Sequence, residues 1–182
     1  MKNSKSFIVD KEELECKKAS LKEISFDNET FTTDYVDESD GSEWKEYQVN
    51  SEYFEEGIPI LIKIPEPDQK ELIQMALSGE THEEIAAASI FLFCNERDKN
   101  QEFREDLLSE LEQFATRLKE SGENTMNNKN KLKIIIYESC LYDGANIRPV
   151  LHKHYSEVNK DFQFFQGIAE RSKEILASFE NK

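Results

Sequence analysis

Acidic residues are concentrated in one stretch of the chain, residues 27 to 56, where eleven carboxylates stand against a single lysine, Lys45. The eleven acids are Asp27, Glu29, Asp34, Asp37, Glu38, Asp40, Glu43, Glu46, Glu52, Glu55 and Glu56. Carboxylate oxygens can bind a hard cation, or they can attract a basic partner. The spacing of the acids decides between these two kinds of chemistry.

A calcium loop of the EF-hand type needs oxygen ligands at fixed positions around a central glycine. When Gly41 is placed at the glycine position, Val36 falls where the first ligand should be and Tyr47 where the last should be. Neither residue is a carboxylate, so two essential ligands are missing. The spacing therefore predicts no metal site.

Histidine and cysteine residues could do chemistry only if the fold brought them together, because no local signature is present. The three histidines lack the HExxH spacing of zinc enzymes. Pro149 suits the first turn of a helix, and on a helix His152 and His154 would diverge by about 200 degrees. Cys140 precedes both, and a Cys–His pair could form only by assembly in space. We expect a buried free thiol there, His82 at the surface, and no catalytic residue.

Glycine and cysteine usage argue against further kinds of site. The six glycines form neither a GxGxxG nor a GxxxxGK[ST] motif, so no nucleotide cofactor is expected. The three cysteines are widely spaced, which disfavours disulfides and cysteine-ligated zinc. The longest apolar stretch, residues 85 to 94, is about half a membrane span, and the N-terminus does not resemble a secretory signal. The sequence predicts a cytoplasmic protein.

The formal net charge of -15 limits the partners that the chain can bind. Nucleic acid and anionic membranes repel an acidic surface, so neither is expected as a direct partner, whereas a basic protein is permitted. The length of 182 residues suits one domain with a single core. We therefore expect one domain over residues 1 to 182.

The elements that must position the acidic stretch are strands, because residues 1 to 66 are rich in short β-forming runs. The runs are residues 6 to 10, 21 to 26, 29 to 36, 43 to 49 and 58 to 64, and residues 10 to 20 could instead be a short helix. Asp40-Gly41 predicts a hairpin turn. A three-residue loop gives the better alternation of faces, with Tyr35 opposite Lys45 and Val36 opposite Trp44. It also sets Asp37 opposite Glu43, a like-charge pair that weakens pairing near the tip and could open the loop to a longer one.

Residues 67 to 182 are predicted to be mainly helical. Capping boxes begin two helices at Asp68 and Thr81, and the second helix carries the apolar run of the core. Apolar spacing predicts further helices over residues 99 to 120, 147 to 158 and 161 to 179, with a flexible connection at 121 to 131. Residues 132 to 142 could be a strand, because their three Ile favour one, or a helix that stops at Asp143-Gly144, and we expect the helix. The predicted fold is α+β, with an antiparallel sheet of four to five strands packed against a layer of four to six helices.

The acidic hairpin is the candidate binding surface. If its Phe31 face packs on the core, Trp44 and Val36 face outward, and an aromatic anchor is ringed by charges that steer a basic partner. The predicted partner-binding residues are Asp34, Tyr35, Asp37, Glu38, Asp40, Glu43, Trp44, Glu46, Glu52, Glu55 and Glu56. The alternative is an ordinary solvated sheet face, with Trp44 covered by a loop or by the helices.

Small size, concentrated negative charge and the lack of a catalytic signature favour a non-catalytic binding protein. Bacterial immunity proteins, which block the positively charged active site of a nuclease or similar toxin, have this profile, although no motif places the chain in one of their families. Carboxylates would then occupy the sites of substrate phosphates. Two alternatives stay open: a hydrolase or transferase with a scattered Cys140 and His152 or His154 site, and a helical adaptor that uses the 99–120 or 161–179 helix.

Overall fold

A computed structural model describes residues 6–49, 57–122 and 125–180 of the chain. The chain divides into two compact units, residues 1–70 and 71–182. The first unit contains a five-stranded antiparallel sheet and one helix, and helices make up the second unit. The fold class is therefore α+β, as predicted. The single domain over residues 1 to 182 stays a prediction.

The sheet lies in the first unit. Its strands are β1 (Phe7–Ile8), β2 (Lys22–Asp27), β3 (Thr32–Val36), β4 (Glu43–Val49) and β5 (Ile58–Lys63), in the spatial order β1-β5-β4-β3-β2. Helix α1 (Lys11–Lys18) connects β1 to β2, and its first turn is capped because the Asp10 carboxylate accepts a hydrogen bond from the N–H of Glu13 at 2.9 Å. Strand β2 forms one edge of the sheet, and each of its residues is exposed.

The β3–β4 hairpin has a different register from the predicted one. Tyr35 lies opposite Trp44, whereas a three-residue loop would have placed it opposite Lys45. The loop has four residues, because the N–H of Asp37 donates to the carbonyl of Ser42 at 2.8 Å and closes the hairpin there. A shift of one residue moves one strand's side chains to the other face relative to its neighbour. Trp44 therefore shares a face with Tyr35.

The face that carries Tyr35 and Trp44 is the core of the first unit. Both side chains are buried in a cluster with Ile8, Leu14 and Leu61. Because Leu14 belongs to α1, this helix covers that face of the sheet. Helix α1, the short helix that the sequence permits at residues 10 to 20, thus packs against the hairpin and covers its buried face.

The second unit is built from five helices among the described residues: α2 (Gln69–Ser78), α3 (His82–Lys99), α4 (Arg104–Ser121), α5 (Met126–Glu138) and α6 (Tyr155–Glu180). The capping box predicted at the start of α3 is confirmed, because the Glu84 N–H donates to the Thr81 hydroxyl at 3.2 Å and the Glu84 carboxylate accepts from the Thr81 N–H at 3.4 Å. Helix α3 is buried on most of its surface, as its apolar run predicted. None of the described helices is both long and apolar enough to cross a membrane.

Two helix boundaries differ from the prediction. The connection predicted at 121 to 131 is largely helical, since α5 begins at Met126 behind an N-cap formed by the Thr125 hydroxyl. Residues 147 to 154 were predicted to be helical and instead form a loop. The side chain of Asn146 accepts a hydrogen bond from the N–H of Arg148 at 2.9 Å, a local contact that competes with helix formation.

Candidate functional site

The predicted binding residues surround the β3–β4 hairpin, but most of their charge is paired with lysines. The ion pairs are Lys17–Asp37 at 2.6 Å, Lys18–Glu46 at 2.9 Å, Lys22–Glu38 at 3.0 Å, Lys45–Asp34 at 3.2 Å and Lys63–Asp40 at 3.8 Å. The lysines come from α1 and from strands β2, β4 and β5, so most of them are distant in sequence from the acids. The hairpin is therefore less negative than its composition suggests.

Asp37 and Glu46 stabilise the fold and are almost fully buried. The Asp37 carboxylate accepts hydrogen bonds from the Lys17 ammonium and from the hydroxyl and N–H of Ser39, and these contacts hold the pKa of Asp37 well below its usual range. Glu46 accepts a hydrogen bond from the Tyr35 hydroxyl at 2.8 Å, and burial together with this contact raises the pKa of Tyr35. These three side chains offer little surface to a partner.

The prediction that Trp44 faces outward is wrong. Its side chain is only 2% exposed, and its indole N–H donates to the Ser42 hydroxyl at 3.0 Å. The ammonium groups of Lys17 and Lys63 lie 4.7 and 5.8 Å from the ring centroid. The register of the hairpin and the position of α1 together make Trp44 a core residue.

Three of the predicted acids remain at the surface, namely Glu38, Asp40 and Glu43. The Asp40 carboxylate accepts a hydrogen bond from the N–H of Ser42 at 2.9 Å. Hydrogen bonds with Ser42 lower the pKa of Asp40. Asp34 is half-buried beside Lys45. The predicted residues Glu52, Glu55 and Glu56 lie outside the described residues.

Three exposed apolar side chains near the hairpin were not identified from the sequence. Ile24 and Phe26 lie on the edge strand β2 and are 60% and 49% exposed, and Phe31, in the turn before β3, is 57% exposed. A bulge in the β2–β3 pairing falls at Ile24, and Phe31 has a left-handed φ of 52°. The order of strands in the sheet decides this exposure, and local sequence patterns do not reveal that order.

These apolar residues and the surface acids belong to neighbouring parts of one sheet. Lys22 lies opposite Val36, and Val36 lies opposite Glu43, so the start of β2 and the start of β4 share one end of the sheet. Lys22 also pairs with Glu38 in the hairpin loop. We define the edge-strand surface as Ile24, Phe26, Phe31, Glu38, Asp40 and Glu43.

The scattered Cys–His site is not assembled in the structure. Cys140 follows α5, is half-buried and has a φ of 54°, and burial raises the pKa of its thiol. His152 and His154 are exposed in the loop before α6, where the ring of His154 contacts the Ser156 hydroxyl at 3.1 Å. Among the described residues, no histidine makes a hydrogen bond to the Cys140 thiol.

We predict that Cys140 reacts slowly with alkylating reagents at neutral pH, because burial favours its neutral thiol over the thiolate that reacts. Cys16, which is exposed, should be labelled first. Timed labelling with iodoacetamide followed by peptide mass spectrometry measures both rates, and a Cys16→Ser variant isolates the slower one. Labelling of Cys140 faster than a model thiol would instead identify an activated nucleophile.

The two helices proposed for an adaptor pack against each other. Arg171 on α6 forms ion pairs with Glu105 at 2.7 Å and Glu112 at 2.9 Å on α4. The apolar stripe of α4 is buried, and so are Phe165 and Ile168 on α6. The stripes that the sequence offered for self-pairing are therefore used within the second unit.

Neither a metal site nor a known relative narrows the function further. Within residues 6–49, 57–122 and 125–180, no group of three or more His, Cys, Asp or Glu could hold a metal ion. No protein-family model matches the chain, and comparison with curated proteins and with solved structures also finds no match.

Proposed function

We propose that the chain is a non-catalytic protein that binds a basic protein partner through the edge-strand surface, in the manner of an immunity or inhibitor protein directed at a toxin or nuclease. One observation carries the proposal: exposed apolar side chains on and beside the edge strand β2 and exposed carboxylates of the β3–β4 hairpin belong to the same sheet. Free cysteines suit action in the cytoplasm, where thiols persist.

The apolar residues would supply most of the affinity. Burying a Phe or Ile side chain contributes about 1.5–3 kcal/mol when it is removed from water completely. Proteins usually protect a sheet edge with charges or a bulge, because an open edge can pair with another chain. Strand β2 has a bulge, yet Ile24 and Phe26 remain exposed on it. Exposure of this kind is typical of a contact surface.

The acids would supply steering and orientation. Glu38 and Asp40 lie in a hairpin loop that is held by the Asp37 side chain and by a hydrogen bond from the Gly41 N–H to the Asp37 carbonyl at 2.7 Å. A loop fixed in this way loses little conformational freedom on binding. The carboxylates would occupy positions that a basic active site offers to substrate phosphates, and their charge would accelerate the encounter.

Two observations weigh against the other functional hypotheses. The raised pKa of the Cys140 thiol is the opposite of what a cysteine nucleophile needs. Helices α4 and α6 bury their apolar stripes within the second unit, which leaves those stripes unavailable to a partner of an adaptor.

The proposal predicts that the surface acids control the rate of association. A partner that is captured from the native cells and released by salt would be purified, and its binding measured by surface plasmon resonance. The triple variant Glu38→Gln, Asp40→Asn, Glu43→Gln should slow association about tenfold at low salt and flatten its salt dependence, with a smaller effect on dissociation. The matched control, Glu120→Gln, Glu170→Gln, Glu174→Gln, removes the same charge from exposed positions of the second unit.

The apolar part of the surface is tested with Ile24→Ser and Phe26→Ser. Both side chains are exposed, so the fold should tolerate the changes, and dissociation should become faster. If the charge variant, the apolar variants and the control all bind a genuine partner with wild-type kinetics, the edge-strand surface is not the binding site.

A further inference from the structure

Strand β2 leaves one edge of the sheet open. It is the last strand in the order β1-β5-β4-β3-β2, and β3 is its only neighbour in the sheet among the described residues. Each residue of β2 is exposed. An edge strand presents backbone N–H and C=O groups that have no partner in the sheet, and an extended segment of another chain can bind to them.

The hairpin shows which residues of β3 bond to β4. The N–H of Asp37 donates to the carbonyl of Ser42 at 2.8 Å, so this opposite pair is hydrogen-bonded. Hydrogen-bonded and non-hydrogen-bonded pairs alternate along an antiparallel ladder. The β3–β4 pairing runs without a register shift, so Tyr35 and Thr33, which have the same parity as Asp37, also bond to β4.

Glu23 and Phe26 direct their backbone groups towards the open edge. These two residues of β2 lie opposite Tyr35 and Thr33. Because the backbone groups of Tyr35 and Thr33 face β4, the pairs that these residues form with β2 are of the non-hydrogen-bonded kind. The N–H and C=O groups of Glu23 and Phe26 therefore point away from β3.

The usual protections of a sheet edge do not cover the second half of β2. The strand has no proline, and its only lysine, Lys22, forms an ion pair with Glu38 at 3.0 Å. The bulge lies at Ile24, before Ser25–Asp27, which stay in register with β3. The strand thus remains open to pairing at Phe26.

The charge of β2 selects a basic occupant. Glu23 and Asp27 are exposed, and neither carboxylate forms an ion pair with a lysine or arginine in the described part of the chain. The Asp27 carboxylate accepts a hydrogen bond from the N–H of Glu29 at 2.8 Å, which fixes its position and keeps its charge. A second copy of the chain would bring like charges together, since each copy has a formal net charge of -15. Lysine or arginine opposite these acids would instead form favourable cross-strand pairs.

We infer that the basic partner binds by adding an extended segment beside β2 as a further strand of the sheet, an inference that rests on the proposed function and names the part of the partner that is bound. The backbone of this segment would bond to Glu23 and Phe26. Its side chains would place a lysine or arginine opposite Glu23 and an apolar residue opposite Phe26, which is 49% exposed.

A heptapeptide of alternating lysine and valine with blocked ends is the probe for such a segment. It is titrated to about 1 mM into the whole isotope-labelled chain, and the backbone amide signals are followed by NMR. The signals of Glu23 and Phe26 should shift, and exchange of their amide hydrogens with solvent should slow about tenfold when about nine-tenths of the chain is bound. A heptapeptide with glutamate in place of lysine should leave these signals unshifted.

Phe26→Pro removes an N–H that faces the open edge, and an edge strand tolerates proline at such a position. Phe26→Ala is the matched control, because it loses the ring but keeps the N–H. The probe should bind Phe26→Pro about five- to tenfold more weakly than Phe26→Ala. Glu23→Pro and Glu23→Ala repeat the comparison at the other open position. Trp44 is the only tryptophan and lies in the core of the first unit, so its fluorescence in urea verifies that each variant folds.

Three outcomes would overturn strand addition. The probe leaves the amide signals of β2 unshifted; or the proline variants bind the probe as tightly as their alanine controls do; or the chain alone shifts these signals as its concentration rises, which would assign the edge to a second copy.

The captured partner separates this inference from the proposed function. If the triple variant Glu38→Gln, Asp40→Asn, Glu43→Gln slows association with the partner but Phe26→Pro and Phe26→Ala bind it equally, the edge-strand surface stands and strand addition fails. If the probe binds β2 while the triple variant and Ile24→Ser leave the kinetics of the partner unchanged, the proposed function fails and the affinity of the edge for basic strands remains.

Discussion

Replacing Arg104 by methionine is expected to lower the free energy of unfolding by about 3–5 kcal/mol at neutral pH. Arg104 is 2% exposed, and its Nε donates to the Glu96 carboxylate at 2.7 Å. Its Nη1 donates to the carbonyl of Cys140 at 2.8 Å, and its guanidinium lies 4.7 Å from the ring centroid of Phe165. Methionine keeps much of the apolar packing but removes the ion-pair partner of the buried Glu96 and leaves it only the weaker attraction of Arg148.

The effect of this substitution should depend on pH because Glu96 is already poorly solvated. Its Oε1 is buried without a hydrogen-bond partner among the described residues, and burial raises the pKa of Glu96 although Arg104 acts in the opposite direction. A carboxyl with a higher pKa in the folded state binds more protons when folded, so protonation stabilises the fold as the pH decreases. Without Arg104 that pKa rises further, and the loss of stability should shrink from pH 7 towards pH 5.

Urea denaturation at the two pH values measures this dependence. The control is the double variant Glu96→Gln, Arg104→Met, which removes the buried charge together with its partner and should recover part of the lost stability. An equal loss for Arg104→Met at both pH values would show that packing, rather than the unpaired carboxylate, dominates the effect.

The helices and strands were largely predictable because their signals are local. The capping box at Thr81 and the apolar run behind it identified α3, and the run at residues 43 to 49 coincides with β4. The loop at residues 147 to 154 was not predicted, because hydrogen bonds that the Asp143 and Asn146 side chains accept from backbone N–H groups outweigh a helix-like apolar spacing.

The candidate site was only partly predictable because it depends on which strands are neighbours. Composition identified the acids, but the lysines that pair with Asp37 and Glu46 come from α1, some twenty or more residues earlier. Ile24 and Phe26 read as ordinary strand residues, and only the position of β2 at the sheet edge exposes them. Local sequence patterns do not show how helices and strands that are distant in the chain pack together.

The position of Trp44 shows how one residue of register changes a functional hypothesis. With a three-residue loop, Trp44 would lie opposite Val36 and could act as an exposed anchor. With the observed loop of four, it lies opposite Tyr35 under α1. The like-charge pair that the shorter loop would have created between Asp37 and Glu43 is also avoided, and Asp37 instead binds Lys17.

Trp44→Ala is therefore expected to lower the free energy of unfolding by about 3–5 kcal/mol, as for other large core side chains. An exposed anchor would cost no more than about 0.5 kcal/mol on removal. Because Trp44 is the only tryptophan, its replacement removes the usual fluorescence signal, and denaturation must be followed by circular dichroism.

Ile24→Ala is the matched control, because Ile24 belongs to the same sheet but is 60% exposed. A small effect for Trp44→Ala, comparable to that of the control, would contradict the observed register and restore Trp44 as a surface anchor. The expected large effect has a consequence for binding experiments. A Trp44 variant that no longer binds a partner would fail to bind because less of the protein is folded. The contribution of the surface to affinity must therefore be measured at Ile24, Phe26 and the exposed acids.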